Sequence, residues 1–148
     1  MGLIYFEDLE PHRKDYLGEY TVDKDEVIEF ARKWDPQPFH IDEEAAASSG
    51  TGGIIAPAIY TIGISNRLAA EYGSPIAALA GLGWDMVRFP HPVKPGDRIS
   101  VTAECLEKRD SNSNPDAGIA CSLIEVRNQH GELCLSFRTT YLVARKPE

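Results

Sequence analysis

At 148 residues, 43% of them hydrophobic, the chain can bury one substantial core, which excludes an intrinsically disordered segment. The net charge of −8 is uneven: residues 1–83 carry 6 basic and 14 acidic side chains, residues 84–148 carry 9 and 9. An acidic chain without a Lys/Arg stripe excludes a nucleic-acid binder, and no apolar run is long enough to span a bilayer.

Residues 1–15 read as a lead-in loop with Phe6 and Leu9 as docking points. Its first residues have no basic start and no apolar h-region, so no secretory signal is visible and the cytoplasm is the expected location. Tyr16 to Val22 has the aromatic and β-branched content of a strand. Asp23 then caps a helix, with Glu26 placed to answer it from the third helical position. Val27, Phe30, Ala31 and Trp34 recur at helical spacing, and Pro36 ends the run.

The next stretch, Trp34 to Asp42, holds the candidate chemistry. Pro36 and Pro38 each fix φ and remove an N–H donor, so a stiff, irregular loop is expected. Asp35 and His40 sit at its two ends, with Trp34, Phe39 and Ile41 available to root it in the core. Two proton carriers on a rigid connector suit general acid–base catalysis. By type and spacing alone they suit a solvated surface turn better, because neither the residue types nor the spacing is rare.

Asp42 caps a second short helix, with Glu43 and Glu44 in its first turn, and Ser48-Ser49-Gly50 ends it. Gly52 and Gly53 can hinge the chain or let a ligand approach the backbone closely. From Ile54 to Tyr72 the chain reads as a helix starting at Pro57, apolar around its first two turns and therefore buried centrally. Its free N–H groups near Pro57-Ala58-Ile59 could receive a developing oxyanion, or could be satisfied by a neighbouring loop.

From Ile76 the pattern turns to strands. Ile76 to Phe89 is one long strand bent at Gly81 or Gly83; Ile99 to Cys105 alternates; Ile119 to Val126 and Leu133 to Val143 form a hairpin through Asn128-Gln129-His130-Gly131. Cys105, Cys121 and Cys134, odd in number and far apart in apolar runs, are expected as buried reduced thiols. The four histidines show no ligand spacing, so no metal is expected. Helices early and strands late indicate an α+β fold with an antiparallel sheet on one buried helix.

This pattern resembles the hot-dog fold, and within it the MaoC-like family that includes R-specific enoyl-CoA hydratases. The likeness covers roughly residues 16–145. Its strongest part is Asp35-Pro36-Gln37-Pro38-Phe39-His40-Ile41-Asp42, similar to the family's hydratase motif with Gln37 in place of the usual Asn. Gly53-Ile54-Ile55-Ala56, and Trp84 through Phe89 into Pro92-Val93 and Pro95-Gly96-Asp97, also fit. Two departures stand out. Pro57-Ala58 replaces a common His-Gly, and Gly63 replaces a common Ser.

The resemblance implies a single domain over residues 1–148 and a hydro-lyase acting on an enoyl or 3-hydroxyacyl thioester. Asp35 and His40 would be catalytic and Ala58 N–H would polarise the thioester carbonyl. Gly53, Gln37 and Pro57 would lie beside the substrate, while Asp42 would cap a helix. It further implies no cofactor beyond the coenzyme A or acyl carrier protein that carries the substrate, and at least a homodimer. A catalytically silent thioester-binding subunit and a hot-dog thioesterase are the alternatives.

Overall fold

The structure, a computed structural model, describes residues 2–148. A 3-10 turn at Phe6–Asp8 precedes β1 (Lys14–Thr21). Four helices follow: α1 (Lys24–Trp34), α2 (Pro38–Ile41), α3 (Glu43–Ser48) and α4 (Ala58–Glu71). Then come β2 (Ala78–Arg88), β3 (Arg98–Asp110), β4 (Ala117–Arg127) and β5 (Leu133–Ala144). The strands form one antiparallel sheet in the order β1-β3-β4-β5-β2.

The alternation of β4 sets the layers. Ala120, Ser122, Ile124 and Val126 are buried on one face, and their intervening neighbours are half-buried. That face meets α4, giving a core of Tyr60, Ile62, Ile64, Val101, Val126, Leu135 and Phe137. A second, smaller core of Phe6, Leu9, Cys105, Ala120, Tyr141 and Val143 fills the far part of the same face beneath the N-terminal segment. The expected docking points, Phe6 and Leu9, are both in it.

Capping follows the sequence. Asp23 Oδ2 accepts from Glu26 N at 2.9 Å, and Asp42 Oδ1 accepts from Glu44 N at 2.9 Å. The expected return bond from the Glu26 side chain is not made. Its Oε1 instead accepts from Tyr20 (2.7 Å) and Tyr60 (2.6 Å), tying β1, α1 and α4 at one carboxylate. Burial first, then the hydrogen bond to Glu26, pushes the Tyr60 hydroxyl far above its usual pKa. Tyr60→Phe is therefore expected to cost about 1.5–3 kcal/mol, the range for a hydrogen bond to a charged group, read from urea unfolding midpoints.

Three expectations about apolar residues change. Trp34, the last residue of α1, lies outside the core, 62% exposed with Lys33 over its ring. α4 is not apolar-buried all round, since Ile59, Gly63, Asn66 and Ala70 form an exposed stripe. Cys105 and Cys134 are buried, whereas Cys121 is half-buried on the opposite face of β4; all three are free thiols. Burial pushes Cys134 up to about 11 and raises Cys105, so both stay protonated.

The two sheet edges differ. β1 carries Lys14, Asp15 and Glu19, charges that discourage edge pairing. β2 exposes Leu79, Leu82, Trp84 and Met86. Its pairing to β5 shifts register between Gly81 and Gly83, the bend expected there. Among the described residues, no helix is long and apolar enough to cross a membrane.

Candidate active site

α1 ends where its sequence requires. Asp35 N still donates to Ala31 O at 2.8 Å, but Pro36 can donate to nothing, and Asp35 leaves helical geometry at φ −157°. The stretch after it was expected to be irregular; it is corrected here to a single helical turn, α2. Pro38 occupies the first helical position, where a missing N–H costs nothing. His40 N to Gln37 O (2.9 Å) and Asp42 N to Pro38 O (2.9 Å) close the turn.

That turn swings His40 back toward Asp35. His40 is 5% exposed, its ring edge-on to Phe39 with centroids 4.4 Å apart. Its Nδ1 lies 2.6 Å from Ile55 O. A carbonyl only accepts, so Nδ1 carries the proton and a neutral ring keeps its lone pair on Nε2. Nε2 faces Asp35 Oδ2 at 3.4 Å, while Asp35 Oδ1 accepts from Gln37 Nε2 at 3.0 Å. Gln37 thus holds the carboxylate from one side and leaves Oδ2 for the imidazole. The Asp35 side chain is 26% exposed, so the pair opens to the surface on the carboxylate side.

The same backbone contact delivers the start of α4. Ile55 N donates to Phe39 O (3.3 Å) and Ala56 N to Val93 O (2.8 Å), so residues 55 and 56 are pinned between α2 and the β2–β3 connection. Pro57, fully buried, caps α4 without a side-chain hydrogen bond. Its carbonyl accepts from Tyr60 N (3.0 Å) and Thr61 N (3.3 Å), leaving Ala58 and Ile59 N–H without an acceptor among the described residues. Gly53, at φ 134°, supplies the left-handed geometry that turns the chain into this segment. Gly63 falls on the exposed stripe of α4. Two small buried hydroxyls on this helix, not foreseen from the sequence, are Thr61 and Ser65; Ser65 donates to Ile62 O at 2.6 Å.

A carboxylate and an imidazole facing one another across 3.4 Å, beside open N–H groups at the start of a helix laid on an antiparallel sheet, define a hot-dog protein with a candidate acid–base site. The chain belongs to the MaoC-like dehydratase family: the MaoC like domain matches residues 9–125. The crystal structure of the MaoC-like dehydratase from Rhodospirillum rubrum superposes with a TM-score of 0.90 and 34% identity, covering 97% of this chain and 99% of that one. The uncharacterized protein YdeM of Bacillus subtilis is 37% identical over 111 residues, 73% of this chain and 76% of YdeM. A 3-hydroxybutyryl-CoA dehydratase of Methylorubrum extorquens is 30% identical over 125 residues, 83% of this chain and 77% of that protein.

Proposed function

We propose that the protein is a hydro-lyase that adds water to a 2-enoyl thioester to give the (R)-3-hydroxyacyl thioester, and runs the reverse dehydration. The observation that carries this reading is the facing of His40 Nε2 and Asp35 Oδ2, with Nδ1 committed to Ile55 O. Both facing atoms accept hydrogen bonds, and they stand farther apart than a direct N–H···O bond of about 2.7–3.2 Å. One water can donate a hydrogen to each, which leaves its oxygen lone pairs free for Cβ of the substrate. As the C–O bond forms at Cβ, one of the pair takes a proton from the water. That same proton is passed to Cα, directly or through its neighbour, so the H and OH of one water are added across the double bond and the pair ends as it began. The roles reverse for dehydration. Negative charge gathers on the thioester oxygen in between, where Ala58 N–H on the positive end of α4 can stabilise it.

The carrier of the acyl group is coenzyme A or acyl carrier protein, and the chemistry needs no further cofactor. Support comes from the family and from the 3-hydroxybutyryl-CoA dehydratase relative. The purified chain should remove the conjugated-enoyl absorbance of crotonyl-CoA without releasing free thiol. Thiol release at the same rate would replace this reading with a thioesterase, and silence on a panel of enoyl thioesters would replace it with a binding subunit.

The assembly we propose is a homodimer or a higher homo-oligomer through β2. An edge strand exposing Leu79, Leu82, Trp84 and Met86 is an aggregation hazard unless a second copy covers it, and the exposed stripe of α4 belongs to the same open side. Light scattering should give at least twice the chain mass. The Leu82→Lys/Met86→Lys variant should fall to the monomer mass or precipitate.

A further inference from the structure

His40 and Asp35 are moored to the same short piece of chain by different routes. His40 reaches it directly, through Nδ1 on Ile55 O, and Ile55 N donates to Phe39 O beside it. Asp35 reaches it through α1, whose third residue, Glu26, accepts from the Tyr60 hydroxyl at 2.6 Å. Tyr60 lies in the first turn of α4, its N–H on Pro57 O at 3.0 Å, so residues 55–60 hold both ties. The other polar tie from α1 to this region, Lys24 to Glu43, is exposed and contributes little.

Packing does not call for a carboxylate at residue 26. The rest of the contact between α1 and α4 is apolar, with Phe30 edge-on to the Tyr60 ring at 5.6 Å and 73°. Apolar surfaces attract without direction and can slide, whereas a hydrogen bond to a charged acceptor fixes one register. Glu26 supplies that acceptor. Its Oε1 takes the Tyr20 and Tyr60 hydroxyls, and no cation pairs with it among the described residues. Both phenols titrate above their usual range, Tyr20 chiefly through its bond to Glu26 and Tyr60 chiefly through burial, so both remain donors.

The lever is long enough to matter. Asp35 follows Glu26 by nine residues, about 13.5 Å at the helical rise. A tilt of α1 by about 3° about its Glu26 end would carry Asp35 by about 0.7 Å. Catalytic groups need placing to within about 0.5 Å, and the 3.4 Å gap between Asp35 Oδ2 and His40 Nε2 has to admit one water. We propose that Tyr60 and Glu26 are positioning residues for the hydration, their hydrogen bond setting the gap between Asp35 and His40 by fixing α1 against the start of α4. The proposal rests on the hydratase reading for the reaction, and on the two moorings for the geometry.

The test compares two bonds to one oxygen. Tyr60→Phe should lower kcat on crotonyl-CoA about tenfold, within the range for sub-ångström misplacement of a reacting group. Its KM should stay within about twofold, because the lost interaction belongs to the transition state. Tyr20→Phe removes the other bond to Glu26 from β1, which carries neither half of the pair, so its kcat should stay within about twofold although its urea midpoint also falls. Glu26→Gln keeps an acceptor for Tyr60 and should retain kcat, whereas Glu26→Met, which keeps the length and removes the acceptor, should match Tyr60→Phe. Both sever one tie, so Tyr60→Phe/Glu26→Met should lose no more kcat than either change alone. The ring-nitrogen NMR shifts of His40 report the gap without substrate, and should move in Tyr60→Phe and stay in place in Tyr20→Phe. Undiminished kcat in Tyr60→Phe, an equal loss in Tyr20→Phe, a loss in Glu26→Gln, or losses that multiply in the double variant would each overturn the proposal. A wild-type chain silent on every enoyl thioester, with the His40 shifts behaving as expected, would instead sink the hydratase reading and leave the mooring of the pair standing.

Discussion

Asp35→Asn is expected to lower the hydration rate of a 2-enoyl thioester by about 10²–10⁴-fold, the usual contribution of one positioned acid–base group, with the protein still folded. The substitution is nearly isosteric. It keeps an oxygen that can accept from Gln37 Nε2, and it keeps the backbone N–H to Ala31 O that finishes α1. What disappears is the carboxylate charge 3.4 Å from His40 Nε2. The amide would turn its NH₂ toward that nitrogen and close the gap with a direct hydrogen bond, removing the two-acceptor site that orients the water. His40→Ala should cost at least as much activity but for a mixed reason. It also breaks the 2.6 Å bond to Ile55 O and leaves a cavity against Phe39, so some stability falls with it. A folded Asp35→Asn protein, judged by an unchanged circular dichroism spectrum, that hydrates crotonyl-CoA at the wild-type rate would rule out the dyad. An inactive His40→Ala protein could not by itself establish it.

How much of this was readable in advance depended on whether one residue type decides a feature locally. Asp23 and Asp42 cap their helices because a carboxylate before a helical run has few competing uses. Pro36 ends α1 whatever the tertiary context. The antiparallel strands announced themselves by alternation, and Asn128 and Gly131 by turn chemistry: Asn128 Oδ1 accepts from His130 N and Glu132 N, and Gly131 takes φ 77°. Features set by several distant segments were not readable. Glu26 has two local partners to choose from, and Tyr60, thirty-four residues on, decides against the capping box. Trp34 follows the helical spacing of Val27 and Ala31 yet points to solvent, because periodicity gives a face and cannot say where the core beneath it stops. Pro38 looked like a breaker and is a helix start; the difference lies in the bond Asp42 N makes back to its carbonyl. Ala69, Ala80 and Ala103 are unremarkable singly and make a cavity only when α4, β2 and β3 bring them opposite one another.

Gly118→Ala should be among the most destabilising single-methyl changes available in this chain. A Cβ built at Gly118 falls 2.1 Å from Phe6 Cδ2 and 2.2 Å from Cε2, inside any real contact distance, so the ring must leave. It has nowhere nearby to go. Lys108 Nζ stands 4.8 Å from the ring centroid, and the Arg145 guanidinium 4.6 Å. Lys108 also donates to Phe6 O at 2.9 Å, and Arg145 is paired with Glu7 and with Asp110. Displacing the ring therefore undocks residues 6–9 from the smaller core and strips Leu9 and Tyr141 of a neighbour. The expected cost is at least about 1–3 kcal/mol, the range for overpacking a well-filled core, read as a lower urea midpoint with unchanged slope. The attribution to Phe6 has its own control. Phe6→Ala alone should cost about 3–5 kcal/mol, the usual loss for a buried phenylalanine. In the Phe6→Ala background, Gly118→Ala should cost almost nothing, because the methyl enters space the ring has vacated. Two penalties that simply add would show that Gly118 is constrained by something other than this ring.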